Sequence, residues 1–179
     1  KTRIVNTWKK KGKVVAMTGD GVNDAPSIKS ADIGIGMGIT GTQVTKNVAD
    51  MVLQDDNFAT ITVAIEEGRK IYDNIKKAIQ FLLASNFAEV IAIFIATLCG
   101  FTLLEPTHLL WINLITDSLP ALALGLEQGE ADIMKRKPRS EKEGLFANGM
   151  ALDIFVQGLL IGLITLTSYL VGHYMETGH

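Results

Sequence analysis

The sequence predicts a mixed α/β unit followed by membrane-spanning α-helices. Two observations carry that expectation: an abrupt change of composition part-way along the chain, and a strand–loop–helix–strand succession near its start. The 179 residues are 47% hydrophobic and 20% charged, with a formal net charge of −2. Lys1 to Lys77 is mixed and polar, whereas long apolar runs dominate from Ala78 onward. A near-neutral total implies no broad basic surface, which argues against a nucleic-acid partner. The single cysteine, Cys99, excludes an internal disulfide framework and a cysteine-cluster metal site. The opening stretch KTRIVNTWKKKGK lacks the apolar core of a signal peptide. A chain that begins on Lys1 without a methionine reads as cut from something longer.

Taken in order, Arg3 to about Lys11 reads as a short helix, ended by Gly12 and followed by an apolar strand, Lys13–Met17. The loop TGDGVND comes next, then a helix from about Asp24 to Ala31 with Pro26 in its first turn, where a missing N–H costs nothing. Asp32–Gly36 reads as a second strand, so the unit is a βαβ crossover and its sheet is parallel. A third short strand is expected at Asp50–Leu53, and a helical pattern runs from about Phe58 well past Lys77. Gly68 is the one weak point in that helix, which is expected to continue unbroken to about Leu98.

Three apolar runs follow, at about Ala78–Leu104, Leu109–Leu126 and Ala151–Val171. A bilayer crossing takes roughly 20 residues. The first and third runs meet that length, while the middle one is short and carries polar residues. Arg69, Lys70, Lys76 and Lys77 precede the first run, and Lys135, Arg136, Lys137, Arg139 and Lys142 follow the second. The loop between the first two runs has no Lys or Arg. By the positive-inside bias, the N-terminal unit and the second linker face the cytoplasm, and three crossings satisfy this arrangement.

Asp20 and Asp24 flank Gly21, Val22 and Asn23 where a strand ends and a helix begins. That is the carboxyl edge of a parallel sheet, the edge at which open α/β folds bind ligands. Two carboxylates at this spacing can hold Mg²⁺, a hard cation that prefers oxygen and bridges to phosphate. The plainer alternative is an Asp/Gly turn whose acids cap the next helix.

The full string MTGDGVNDAPSIKSADIGIGMG resembles the hinge motif of P-type ATPases, the fourth motif of the haloacid-dehalogenase-like superfamily. The resemblance covers some twenty consecutive residues. It implies the C-terminal part of a Rossmann-type phosphorylation domain, in which Asp20 ligates Mg²⁺, Asn23 contacts the phosphoryl group and Asp24 supports the loop. Thr18 and Gly19 are assigned to phosphate binding beside them. Lys1 aligns with the lysine that neutralises the aspartyl phosphate in that family. Ser27 departs mildly from the pattern, standing where the family has a small apolar residue. Gly36, Gly38 and Gly41 match a dinucleotide-type G-x-G-x-x-G, with Asp55 and Asp56 further on. Such a fold needs more strands and helices than this chain has before its apolar runs begin, so these glycines read as a tight strand-to-loop turn.

Glu89 lies in the first apolar run and Asp117 in the second. A charge at mid-membrane costs roughly 2.5–3.5 kcal/mol, so each acid needs a reason. At helical spacing Asn86 and Glu89 share one face, and Asn113, Thr116 and Asp117 share another. These groups are oxygen donors without sulfur or imidazole, a set suited to Ca²⁺ or an alkali cation. Pro120 has no N–H for the carbonyl of Thr116, which would free that oxygen. The bland alternative is polar glue between helices.

LLASNFAEVIAIF and LLWINLITDSLPALALG resemble the fifth and sixth membrane helices of sarcoplasmic-reticulum-type calcium ATPases, and KPRSEKEGLFANG resembles their link to the seventh. The resemblance places Asn86, Glu89, Asn113, Thr116 and Asp117 on calcium-ligand positions. It implies a phosphorylation-domain part at 1–57, a cytoplasmic stalk helix at 58–77, and membrane helices at 78–98, 109–126 and 150–172, with a cytoplasmic linker at 127–149. It further implies a multi-pass protein in the lipid bilayer whose partners are the rest of the same polypeptide and Ca²⁺, with Mg²⁺ and ATP as cofactors. No DKTGT phosphorylation site, TGE loop or nucleotide-binding domain occurs here, so the isolated segment is expected to be inactive. Pumps for Mn²⁺, Na⁺ or H⁺ are the alternative within that class, and a membrane-anchored phosphatase of the same superfamily is the alternative outside it.

Overall fold

A computed structural model describes residues 1–140 and 143–178, and Lys142, counted above among the linker cations, lies outside the described residues. The chain is mixed α/β and divides into two compact units, Lys1–Glu66 and Glu67–His179.

In the first unit, β1 (Ala16–Gly19), β2 (Ile33–Met37) and β3 (Met51–Leu53) form a parallel sheet in the order β1-β2-β3. Ala16 is opposite Ile33, and Ile35 is opposite Met51. Helices α1 (Thr2–Lys10), α2 (Ala25–Ser30) and α3 (Gln43–Val48) belong to the same unit. Strand β1 starts three residues later than the apolar run suggests, because its partner begins only at Ile33. Before that point Val15 is held by Asp32: its N–H donates to Asp32 Oδ2 at 2.9 Å, and its carbonyl accepts from the N–H groups of Asp32 and Ile33. Helix α3, between β2 and β3, has no apolar period to announce it. Thr42 caps it, accepting from the N–H of Thr45 at 3.4 Å.

The core of this unit is Val5, Ile28, Ile35, Met37 and Leu53, with Ile61 packed against it. The glycine cluster is explained by close approach. A Cβ on Gly41 would strike the carbonyl of Met37, and one on Gly38 the carbonyl of Leu53. The following loop is tied down by Asp56, whose carboxylate accepts from Ile39 N at 3.0 Å and from Thr40 N and Oγ1, each at 2.7 Å. Those donors hold the Asp56 carboxyl down at about 2, the Ile39 N–H first among them.

Helix α4 (Ala59–Leu98) is a single helix of 40 residues that runs through Gly68 without a break. Within the second unit it is accompanied by α5 (Pro106–Trp111), a π-helical turn at Ile112–Thr116, α6 (Ser118–Gly125) and α7 (Met150–Thr177). Among the described residues two helices, α4 and α7, are long and apolar enough to cross a membrane. The middle apolar run is not one regular helix but short helix, π turn and short helix. From Pro106 to Gly125 this path still spans about 30 Å at 1.5 Å per residue. Many large apolar side chains point outward, among them Val90, Phe94, Leu114, Leu122 and Ile164, all more than half exposed.

A seam of small residues joins α4 to α7. Ala84, Ala88, Ala92 and Ala96 are buried at intervals of four, and Gly158 and Gly162 of α7 face them. A Cβ on Gly158 would come within 2.9 Å of the Ala84 carbonyl, and one on Gly162 within 3.2 Å of the Ala88 carbonyl. Close backbone approach through small residues is how helices associate where no water drives them together.

Candidate functional site

The first cluster of acids lies at the end of β1. The chain leaves the strand through Asp20, makes a 3-10 turn at Val22–Asp24 and enters α2 with Pro26 in its first turn. Asp20 is exposed, and its carboxylate makes no hydrogen bond or ion pair among the described residues. Its backbone is fixed, however: the Asp20 carbonyl accepts from Thr42 N at 2.8 Å and from Thr45 Oγ1 at 3.3 Å. Asn23 is exposed beside it, Thr18 is half-buried and Gly19 is buried.

Asp24 has a different environment. It is buried, 6% exposed, and Lys1 Nζ donates to its Oδ1 at 2.6 Å. The hydrogen bond from Lys1 is the main cause that holds the Asp24 carboxyl below the usual carboxylate range, against the opposing effect of burial. A Cβ on Gly19 would collide with the Asp24 side chain, so glycine is what lets this carboxylate fold back under the strand end. The two acids are therefore not equivalent: Asp24 is ion-paired, whereas Asp20 has no side-chain partner among the described residues. Ser27, the departure from the motif, is buried with its hydroxyl 3.3 Å from that of Thr2.

The second cluster lies on α4 and the π turn. Asn113 Nδ2 donates to Glu89 Oε2 at 2.9 Å and to the Leu109 carbonyl at 3.1 Å. With its amide N–H groups so used, the Asn113 Oδ1 is left as an acceptor. Asp117 is buried, 4% exposed, and lies within electrostatic reach of Glu89. Glu89 Oε1 and Asp117 Oδ2 are both buried without any hydrogen-bond partner among the described residues. Orphaned buried carboxylate oxygens are costly, and a cation is the partner that would relieve them.

Asn86 and Thr116 stand apart from this group. Asn86 is exposed and its Nδ2 donates to Leu82 O at 2.8 Å along its own helix, and Thr116 is exposed. Regular helical spacing would have put Thr116 beside Asp117, but the π turn changes the register. Asp117 N bonds the carbonyl of Ile112, five residues back, at 2.9 Å, and Ser118 Oγ donates to the Asn113 carbonyl at 3.0 Å. The extra residue in the turn rotates Asp117 inward. Pro120, just beyond, was the visible sign of irregular backbone, although it did not reveal where the irregularity begins. Among the described residues no group of three or more His, Cys, Asp or Glu side chains converges. Any cation at this place depends on amide and backbone oxygens as much as on the two acids.

Comparison with known proteins adds a separate line of evidence. Residues 101–179 match the family described as "Cation transporting ATPase, C-terminus". The chain is 55% identical over 179 residues to a "Calcium-transporting ATPase 1" of Bacillus cereus, covering 99% of this chain and 20% of that protein. It is 53% identical over 175 residues to a "Calcium-transporting ATPase" of Bacillus subtilis, covering 97% of this chain and 20% of that protein. A "Calcium-transporting ATPase 3, endoplasmic reticulum-type" of Arabidopsis thaliana is 47% identical over 171 residues, covering 95% of this chain and 17% of its own length. The chain thus spans about a fifth of the length of the bacterial relatives it matches.

Proposed function

Because the chain belongs to the cation-transporting ATPases, we propose that it is the part of an ATP-driven calcium pump joining the phosphorylation domain to the transported-ion site. Residues 1–57 form the C-terminal part of a haloacid-dehalogenase-like phosphorylation domain, 58–77 a cytoplasmic stalk, and 78–98, 109–126 and 150–172 three membrane crossings, with 127–149 a cytoplasmic linker. The observation that carries this reading is the pair of buried, unpartnered oxygens on Glu89 and Asp117. Glu89 lies on α4, which is long and apolar enough for a bilayer, and Asp117 in the apolar run that follows it, where an acid without a partner needs a reason.

At the phosphate end, Asp20 fits a Mg²⁺ ligand, because its carboxylate has no partner among the described residues and its backbone is fixed by Thr42 and Thr45. Bound there, the ion would offset negative charge on the phosphoryl oxygens. Asn23, exposed at the same edge, donates to a phosphoryl oxygen. Lys1 holds Asp24, and Asp24 holds the turn that presents Asn23 and Asp20; the ammonium adds positive charge where the phosphoryl group is handled. Thr18 and Gly19 line the same edge. The phosphoryl acceptor and most of the ATP site come from sequence outside these 179 residues.

At the membrane end, Asn113 fixes Glu89 Oε2 through its Nδ2 and keeps its own Oδ1 as an acceptor, beside the orphaned Glu89 Oε1 and Asp117 Oδ2 in the set of oxygens proposed for the ion. Ca²⁺ takes six to eight oxygens, roughly twice what these three groups supply, so oxygens from the rest of the pump complete the shell, and Asn86 and Thr116 contribute only if they turn inward in the complete protein. Transport by the full-length pump, measured with Ca²⁺, Mn²⁺ and Na⁺ in turn, tests the reading. Calcium uptake that Asp117→Asn abolishes is expected. Uptake of Na⁺ or Mn²⁺ in place of Ca²⁺ would reassign the cargo, and unaltered Ca²⁺ uptake in Asp117→Asn would remove the site.

A further inference from the structure

Asn74 lies on α4 fifteen residues before Glu89 and is buried, 3% exposed. Its Nδ2 donates to the carbonyls of Gly125 at 3.3 Å and Glu127 at 2.7 Å. Those oxygens lie at the C-terminal end of α6, where a helix has carbonyls with no partner of its own. A buried amide on the neighbouring helix therefore caps α6 from outside. One turn along α4, Lys77 Nζ meets Glu127 Oε2 at 2.6 Å, but both of those side chains are more than a third exposed and such a pair adds little.

The bond from Asn113 Nδ2 to Glu89 Oε2 is the other tie between these two paths. On α4 the two ties are about 22 Å apart, and from Asn113 to Gly125–Glu127 the helical path covers about 18–21 Å at 1.5 Å per residue. The spacings agree, so the paths are tied in register at two levels, with Asp117 between them. A single tie is a pivot about which α6 can rotate or slide. The second removes that freedom, and it matters here because the π turn at Ile112–Thr116 interrupts the regular ladder beside Asp117.

We infer that Asn74 is a positioning residue for cation binding, holding Asp117 opposite Glu89 by capping the far end of α6. It touches no cation. The inference rests on the calcium-site reading above and extends it to a residue in the stalk.

The test uses the full-length pump in membranes with Asn74→Ala, Asn74→Asp (the same shape without the donor), Asn74→Gln (which keeps the donor) and, as reference, Asp117→Asn. Two quantities are read: the free Ca²⁺ giving half-maximal phosphorylation by ATP, and the phosphoenzyme formed from inorganic phosphate without Ca²⁺. Loss of two buried hydrogen bonds is expected to raise the Ca²⁺ requirement roughly three- to thirtyfold in Asn74→Ala and Asn74→Asp. Phosphorylation from inorganic phosphate is retained, and Asn74→Gln recovers part of the affinity. An unchanged Ca²⁺ requirement, or equal loss of both activities, overturns the inference. If Asn74→Ala does not accumulate, Asn74→Asp carries the comparison; absence of both from the membrane assigns the residue to folding and overturns it equally. A normal Ca²⁺ requirement in Asp117→Asn would instead overturn the underlying site, and this inference with it.

Discussion

The acids of the first unit and one pair in the second, Glu89 and Asp117, are held in opposite ways. In the first, Asp24 is paired with Lys1, Asp32 with Lys9 at 2.8 Å, and Asp56 accepts three hydrogen bonds from a loop. Asp50 Oδ2 likewise accepts from Gly34 N at 2.7 Å. Each satisfies a backbone or a cation, and each is explained by the fold alone. In the second, Asp117 is buried and Glu89 partly buried, and each has one buried oxygen without a partner among the described residues. A satisfied acid is accounted for by the fold, whereas a buried carboxylate oxygen without a partner is not. Asp20, exposed at the sheet edge, has no side-chain partner among the described residues.

The contrast is broken most sharply at Asp117. Asp117→Asn in the full-length pump is expected to weaken Ca²⁺-dependent phosphorylation by about 30-fold or more, the equivalent of about 2 kcal/mol. Thermal stability without Ca²⁺ should hold or rise, since a buried unpaired charge has been removed. A fall in stability of the Ca²⁺-free protein would make Asp117 a fastener after all.

The small-residue seam is next in size. Gly162→Leu forces a side chain against the Ala88 carbonyl, one residue from Glu89, and overpacking of this kind costs about 1–3 kcal/mol. The expected result is a lower unfolding temperature in detergent. Gly172→Leu, where an added Cβ meets nothing within 4 Å, serves as the neutral control.

Lys1→Met leaves Asp24 buried without its cation, a smaller effect of about 1 kcal/mol because the lysine itself is largely exposed. Faster amide exchange at residues 19–24 would register it. The pH dependence follows from the lowered carboxyl of Asp24. Its contribution is complete above the ordinary carboxylate pKa and is lost as pH falls through the lowered folded value, so wild type and Lys1→Met should converge in acid.

Asp56→Ala is the mildest change. It should speed exchange at the Ile39 and Thr40 amides and leave Ca²⁺ dependence untouched. With the carboxyl held at about 2, its contribution to that loop is complete above the ordinary carboxylate range, declines as pH falls below it and is gone below about pH 2.

The sequence showed its composition boundary, the parallel βαβ order and the four acids at issue, because hydropathy period and loop chemistry are local properties. In the first unit strand and helix ends moved by up to three residues where a tertiary partner set the limit, as Asp32 does for β1, while α7 runs five residues past the expected 172. Helix α3 was invisible because QVTKNV has no apolar stripe to read; its capping Thr42 was the available signal. The alanines at intervals of four and the G-x-x-x-G of α7 form a close-packing seam that became visible only in the packed helices. Asn74 carried no sequence signal at all, since an asparagine in a polar stalk is ordinary until its acceptors are seen.

Residue order alone settled which groups could do chemistry: oxygen donors in apolar runs, and paired acids at a strand end. Only three-dimensional packing decided which of them stay available, because a carboxylate's role depends on whether another chemical group already answers its charge. Lys1 answers Asp24, Asn113 answers half of Glu89, and a π turn carries Asp117 into the interior where nothing in the described chain answers it.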